Sequence, residues 1–129
     1  MAEFKDLFKT ADFKKEKHVP AIELSQPKKG ENIKVTVSVG KEIAHPNTTE
    51  HHIDWISAYF LPAGETAVLE LGKFEFSAHG ASAQGPNMST VFTASEASFS
   101  FKTDKPGTLY ASSYCNIHGL WQSSAEVVL

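Results

Sequence analysis

The clearest pattern in the chain is Ile33-Lys34-Val35-Thr36-Val37-Ser38-Val39, where β-branched apolar residues alternate with polar ones. Successive side chains of a β-strand point to opposite faces, so this period of two predicts a strand with one dry face and one wet face. Such alternation is typical of antiparallel sheets. The segment therefore favours an all-β fold.

Other runs rich in aromatic and β-branched residues lie on both sides of this segment and end at short Pro/Gly turns. We predict further strands at Val19–Leu24, His52–Leu61, Thr66–Ser77, Val91–Lys102, Thr108–Tyr114 and Ser123–Leu129. Phe4, Leu7 and Phe8 have helical spacing and predict a short N-terminal helical turn. About seven strands without a longer helical pattern between them predict an immunoglobulin-like antiparallel β-sandwich.

Length and composition limit the kinds of protein this can be. The chain has 129 residues and a net charge of −3; the length predicts a single domain over residues 1–129. The charge argues against a nucleic-acid-binding protein, and no apolar run approaches the ~20 residues of a membrane span. Met1–Lys9 is charged throughout, unlike a signal peptide. With Cys115 as its only cysteine, the chain has no internal disulfide, and we expect a cytoplasmic location.

Four histidines and the cysteine fall at predicted strand ends and in loops, where binding groups concentrate on a rigid sandwich. His18 precedes a strand, His45 and His51 bracket a loop, and Cys115 and His118 form a Cys-x-x-His pair. Each of these features alone is more often structural. Taken together they favour a metal site.

The other two histidines stay outside this predicted site. His51 and His52 are neighbours on an extended chain, so at most one of them is expected to reach a common centre. His79, between Ala78 and Gly80, is as compatible with a hydrogen bond to the loop backbone as with ligand binding.

Ligand number and type narrow the choice of metal. Four imidazoles and one thiolate exceed the four ligands of structural zinc, and calcium and magnesium prefer oxygen. Type 1 copper needs an axial methionine, but only Met1 and Met88 are present and neither follows Cys115 closely. A redox-active iron with one open position fits best. A cupredoxin-like electron carrier and a non-catalytic module with an incidental metal site remain as alternatives.

Three motifs resemble those of the short, single-iron superoxide reductases, also called neelaredoxins. The resemblance covers essentially the whole chain. A chain with one cysteine has no counterpart of the Cys₄ iron module that the related desulfoferrodoxins carry, and Ala44 stands where many relatives have proline. The motifs are Glu16-Lys17-His18-Val19-Pro20, Gly40-Lys-Glu-Ile-Ala-His45-Pro-Asn-Thr-Thr-Glu-His51-His52 and Ser113-Tyr-Cys115-Asn-Ile-His118-Gly-Leu-Trp121.

The resemblance implies a mononuclear iron, one per chain, that reduces superoxide to hydrogen peroxide. Cys115 would be the axial ligand, and Glu16 would fill the otherwise open sixth position in the ferric state. Lys17 would attract the superoxide anion, and backbone N–H groups after Cys115 would hydrogen-bond the sulfur. A rubredoxin-like electron donor and a homotetramer are further expectations. The equatorial ligands would be His18, His45, His51 and His118.

Overall fold

A computed structural model describes residues Met1–Leu129, and its regular secondary structure is almost entirely β-strand. A 3₁₀ turn at Phe4–Asp6 comes first. The strands are β1 Pro20–Leu24, β2 Ile33–Val39, β3 Ile53–Pro62, β4 Leu69–Glu75, β5 Glu96–Phe101, β6 Gly107–Cys115 and β7 Gly119–Val127. They form two antiparallel sheets in the orders β1-β2-β5 and β4-β3-β6-β7. The predicted seven-stranded sandwich with an N-terminal helical turn is confirmed.

The alternation in β2 produces the core as expected. Val35 and Val37 are fully buried, while Lys34 is exposed. Val35 and Val37 belong to one apolar cluster with Ile56 and Leu109 of the facing sheet. Burying side chains of this size stabilises the fold by about 1.5–3 kcal/mol each, which gives the ends of the sandwich a rigid base.

Three predicted strands differ from the observed ones by more than one residue at their starts. Val91–Lys102 is a strand only over Glu96–Phe101, because its partner β2 ends at Val39; Val91 and Phe92 are exposed, and only an isolated bridge joins Phe92 to His79. The last strand begins at Gly119, earlier than predicted, because β7 pairs with β6 directly across the turn after Cys115. The predicted Thr66–Ser77 strand is shorter at both ends, covering Leu69–Glu75.

Strand register brings three loops to one end of the sandwich. Pro20 at the start of β1 pairs with Val39 at the end of β2, and Cys115 at the end of β6 pairs with both Ile53 and Gly119. The segments before β1, between β2 and β3, and between β6 and β7 are therefore neighbours. These are the segments that carry the predicted ligands.

Glycine is required where one of these loops begins. Gly40 has a φ of +91°, and a Cβ there would lie 2.6 Å from the backbone nitrogen of His45. Only glycine adopts this conformation readily and leaves that space free.

The structure has no helix with the length and apolar character that a membrane crossing needs.

Candidate metal centre

The five predicted ligands meet at this end of the sandwich. His18 and Cys115 are buried, His45 and His51 are half-buried, and His118 lies at the surface. Donor atoms of His18, His45, His51 and Cys115 all lie within 4.8 Å of one another. His118 joins them through its Nδ1, which is 3.1 Å from His18 Nε2.

The four imidazoles are arranged in a closed ring. Going round the ring, neighbouring ring centroids are separated by 4.8, 4.7, 5.0 and 4.6 Å, in the order His18, His45, His51, His118 and back to His18. The centroids of His18 and His51, which face each other across it, are 6.3 Å apart. This arrangement leaves a small central space surrounded by imidazole nitrogens, with the cysteine sulfur close by.

The sulfur of Cys115 is enclosed by its own turn. The backbone N–H of His118 donates a hydrogen bond to Sγ at 3.3 Å, and the Nδ1 of the same residue lies 3.8 Å from the sulfur. The turn is tight because Gly119 follows with a φ of +82°. A hydrogen bond from the turn to the sulfur, as predicted from the sequence, is therefore present.

Glu16 lies beside His18. Its carboxylate accepts hydrogen bonds from the His18 backbone N–H and from His18 Nδ1, the latter at 2.9 Å. Burial by itself raises the pKa of Glu16, but these hydrogen bonds and the charge of His18 outweigh it, so the pKa lies below its ordinary value. An ionised Glu16 that accepts from Nδ1 orients the His18 ring, so that its Nε2 lies toward the other imidazoles, 3.1 Å from His118 Nδ1.

Two further nitrogens have the properties expected of metal ligands. His45 Nε2 and His51 Nε2 are buried and have no hydrogen-bond partner. Burial lowers the pKa of His45 to about 4 and lowers that of His51, and the positive charge of nearby Lys17 adds to both shifts. Both rings are therefore neutral near pH 7, with unused lone pairs. A metal ion would satisfy them, and a set of imidazoles with one thiolate suits a transition metal.

Sequence reasoning missed the surroundings of these ligands. The indole of Trp121 is stacked on the His18 imidazole, with centroids 5.1 Å apart and planes 13° apart. A second cluster contains His52, Asp54 and His79. The parallel rings of His52 and His79 have centroids 3.7 Å apart. The sequence holds one indication of this second cluster: side chains of adjacent residues in an extended chain point in opposite directions, so His52 is expected to point away from the site that contains His51.

Comparison with known proteins agrees with this geometry. The family model described as desulfoferrodoxin matches residues 10–124. The chain is 57% identical over 125 residues to a neelaredoxin of Megalodesulfovibrio gigas, covering 96% of each chain. It is also 57% identical over 124 residues to a superoxide reductase of Pyrococcus furiosus, covering 96% of this chain and 97% of the relative.

Solved structures agree as well. The reduced form of the Archaeoglobus fulgidus superoxide reductase (neelaredoxin) superposes with a TM-score of 0.90 at 57% identity, covering 95% of this chain and 99% of that one. A superoxide reductase in the oxidised state also gives a TM-score of 0.90, at 53% identity over 98% of this chain and all of that one.

Proposed function

The chain belongs to the desulfoferrodoxin family, and we propose that it acts as a superoxide reductase. It would convert superoxide to hydrogen peroxide at one iron per chain. Each turnover combines one superoxide, one electron and two protons. The observation that carries the assignment is the closed ring of imidazoles beside a buried thiol, with two ring nitrogens lacking any partner. The proposed ligands are His18, His45, His51, His118 and Cys115.

Iron, when bound, supplies the electron by cycling between its ferrous and ferric states, which zinc does not do. The protein's part is to hold the donor atoms and set their charge. Cys115 as a thiolate donates electron density and lowers the net charge of the site. The hydrogen bond from the His118 N–H to the sulfur moderates that donation, since hydrogen bonds to ligand sulfurs tune reduction potentials. Neutral His45 and His51 add no charge.

Lys17 is proposed to attract the substrate. Its side chain is half-buried, and its charge acts on both His45 and His51. The exposed neighbours Lys14 and Lys15 share the sign of its charge. A positive group at the rim of the site raises the local concentration of a small anion such as superoxide, despite the overall charge of −3.

Glu16 is proposed as the sixth ligand of ferric iron. In the structure its carboxylate is held by His18, so moving onto a metal would break those hydrogen bonds. Its lowered pKa keeps it anionic, which supports the role because an anion is a good ligand for the more highly charged ferric ion. Glu16 would then alternate between positioning His18 and occupying the open position.

Partners and location complete the proposal. A site with a single iron stores one electron, so it needs an external donor, and a rubredoxin-like protein is proposed. A homotetramer is also proposed, supported by exposed apolar side chains, among them Phe4, Leu7, Val68 and Leu69, of which Val68 lines an open cavity. We further propose that residues 1–129 act as one iron domain in the cytoplasm.

Metal analysis combined with pulse radiolysis tests the function. The proposal predicts about one iron per chain and a rapid second-order reaction of the reduced protein with superoxide. A blue colour, from thiolate-to-ferric charge transfer, should appear on oxidation. Stoichiometric copper would instead support a cupredoxin-like carrier, and the absence of a stoichiometric metal would support a non-catalytic module.

A further inference from the structure

The loop His45–His51, here called the ligand loop, carries two of the proposed ligands but forms neither strand nor helix. Its own hydrogen bonds are few. The Thr48 N–H donates to the His51 carbonyl at 2.9 Å, and the His51 N–H donates to Thr48 Oγ1 at 3.0 Å. Contacts from outside must therefore hold the loop in place.

Those contacts come largely from the segment 79–93. The Asn47 side-chain NH₂ donates to the Thr93 carbonyl at 2.9 Å, and the Thr49 hydroxyl donates to the His79 carbonyl at 2.7 Å. The Thr49 N–H donates to Asn87 Oδ1 at 2.8 Å. The ligand loop is thus attached to a neighbouring loop that contains none of the ligands.

The side chain of His79 joins this attachment to the sheet. It is 7% exposed, with Nε2 2.7 Å from the Phe76 carbonyl and Nδ1 2.7 Å from Asn47 Oδ1. Because the NH₂ of Asn47 is committed to Thr93, its oxygen faces His79 and accepts from Nδ1. The imidazole therefore spans from the chain just after β4 to the middle of the ligand loop.

Stacking adds a second route to the same loop. The rings of His79 and His52 are parallel within 2°, and His52 Nδ1 lies 2.9 Å from the Thr48 carbonyl. His52 Nε2 lies 2.9 Å from Asp54 Oδ1. His79 thus supports the ligand loop through Asn47 directly and through Thr48 by way of His52.

The cluster of His52, Asp54 and His79 does not have the features of a second metal site. All four ring nitrogens lie 2.7–2.9 Å from an oxygen atom, so none of them is left without a polar neighbour, in contrast to His45 Nε2 and His51 Nε2. Two parallel rings also do not aim their nitrogens at a common point. The geometry of His52, Asp54 and His79 fits residues that hold the ligand loop in place.

We propose that His79 is a positioning residue that fixes His45 and His51 for metal binding through its hydrogen bond to Asn47. The inference rests on the proposed function, because it concerns the same iron site. It assigns a role to a histidine that lies outside the ligand set and approaches the ligands through a neighbouring loop.

Two amide substitutions separate this role from simple packing. The side-chain NH₂ of asparagine can occupy the place of the histidine Nδ1 and donate to Asn47, whereas that of glutamine can reach the place of Nε2 and donate to Phe76. We expect His79→Gln to weaken iron binding by up to about 10-fold, the lower end of the cost of losing a direct partner of a metal ligand, because His79 acts on the ligands only through Asn47. His79→Asn should retain most of the affinity.

The measurements are iron affinity by competition with a chelator, the energy of the ferric–thiolate absorption band, and the ferric EPR spectrum. Val37→Ala, which removes buried volume within β2, serves as the stability control: it should lower the melting temperature and leave the band and EPR unchanged. Asn47→Ala, which removes the acceptor from the other end, should shift the spectra as His79→Gln does.

Equal iron affinity and equal spectra in the asparagine and glutamine variants would overturn the proposal. It would also be overturned if Asn47→Ala left iron affinity and spectra unchanged, and this variant decides the matter if either His79 variant fails to fold. Failure of the proposed function has a different signature, since the parent protein would then bind no iron and have no thiolate band.

Discussion

His51 and His52 are neighbours in the chain, yet they lie in clusters with opposite hydrogen-bonding states. In the cluster of His51, two buried ring nitrogens have no partner. In the cluster of His52, every ring nitrogen lies 2.7–2.9 Å from an oxygen. The number of histidines and their burial do not separate the two clusters; the partnerless Nε2 atoms of His45 and His51 do.

The two clusters also differ in how the fold presents them. The first brings together the chain before β1, the β2–β3 loop and the β6–β7 turn, and it includes the only cysteine, Cys115. The second lies between the start of β3 and the loop after β4, with the carboxylate of Asp54 as its anionic member. One cluster has a soft sulfur donor and the other a hard oxygen donor, so their affinities for metals should differ.

The largest expected effect comes from exchanging the two neighbouring histidines for alanine. His51→Ala removes a ligand and should reduce iron affinity by more than the ~10- to 100-fold that loss of an outer partner costs. His52→Ala should still bind about one iron per chain when iron is in excess. Chelator competition on both variants measures the difference. Similar losses of iron affinity in the two variants would contradict the distinction between the two clusters.

Cys115→Ser should abolish the visible band of the oxidised protein and most of the reductase activity, because a serine oxygen donates less electron density than a thiolate. Asp54→Asn is the matched control in the second cluster and should keep the band. Absorption spectra of the two oxidised variants provide the test. If the band persists without the sulfur, Cys115 is a buried bystander.

Lys17→Ala should slow the second-order reaction with superoxide by about tenfold, the lower end of electrostatic steering effects, and leave the ferric spectrum unchanged. Screening over a Debye length of ~10 Å at 0.1 M salt should make the parent rate fall with ionic strength, and the rate of the variant fall less steeply. Lys14→Ala is the control. If both variants react with superoxide equally slowly, Lys17 acts only as part of a diffuse basic patch.

The smallest effect is expected from Glu16→Ala. Loss of its hydrogen bonds to His18 should weaken iron binding, but the iron-loaded, reduced variant should react with superoxide at nearly the parent rate, because Glu16 is not a proposed ligand of ferrous iron. The oxidised spectrum and its dependence on pH should change, since water or hydroxide would replace the carboxylate. Ferric spectra that coincide with those of the parent across a pH series would remove Glu16 from the sixth position.

Much of this architecture could be predicted from the sequence, because the information is local. The period of two in Ile33–Val39 predicts a strand without reference to any neighbour. Val91 and Phe92 have the composition of a strand but lie outside β5, because β2 ends before it could pair with them and the segment around His79 offers only an isolated bridge. Residue type indicates a preference for β structure, but whether a segment joins a sheet depends on where the neighbouring strand ends.

The proposed ligands could be picked out because they lie in short motifs, whereas the residues that support them are distant in sequence. His79 contacts Asn47 and stacks on His52 only after the sheets form, and nothing around position 79 indicates either partner. Trp121 lies within a recognised motif, yet its stacking on His18 depends on the register between β6 and β7. Such contacts require the three-dimensional structure.

Iron K-edge X-ray absorption of the reduced protein tests the central claim most directly, because sulfur and nitrogen scatter differently and only the first cluster contains sulfur. The account predicts one sulfur and four imidazole nitrogens around the iron of each chain. A shell of nitrogen and oxygen alone, as His52, Asp54 and His79 would provide, would contradict it.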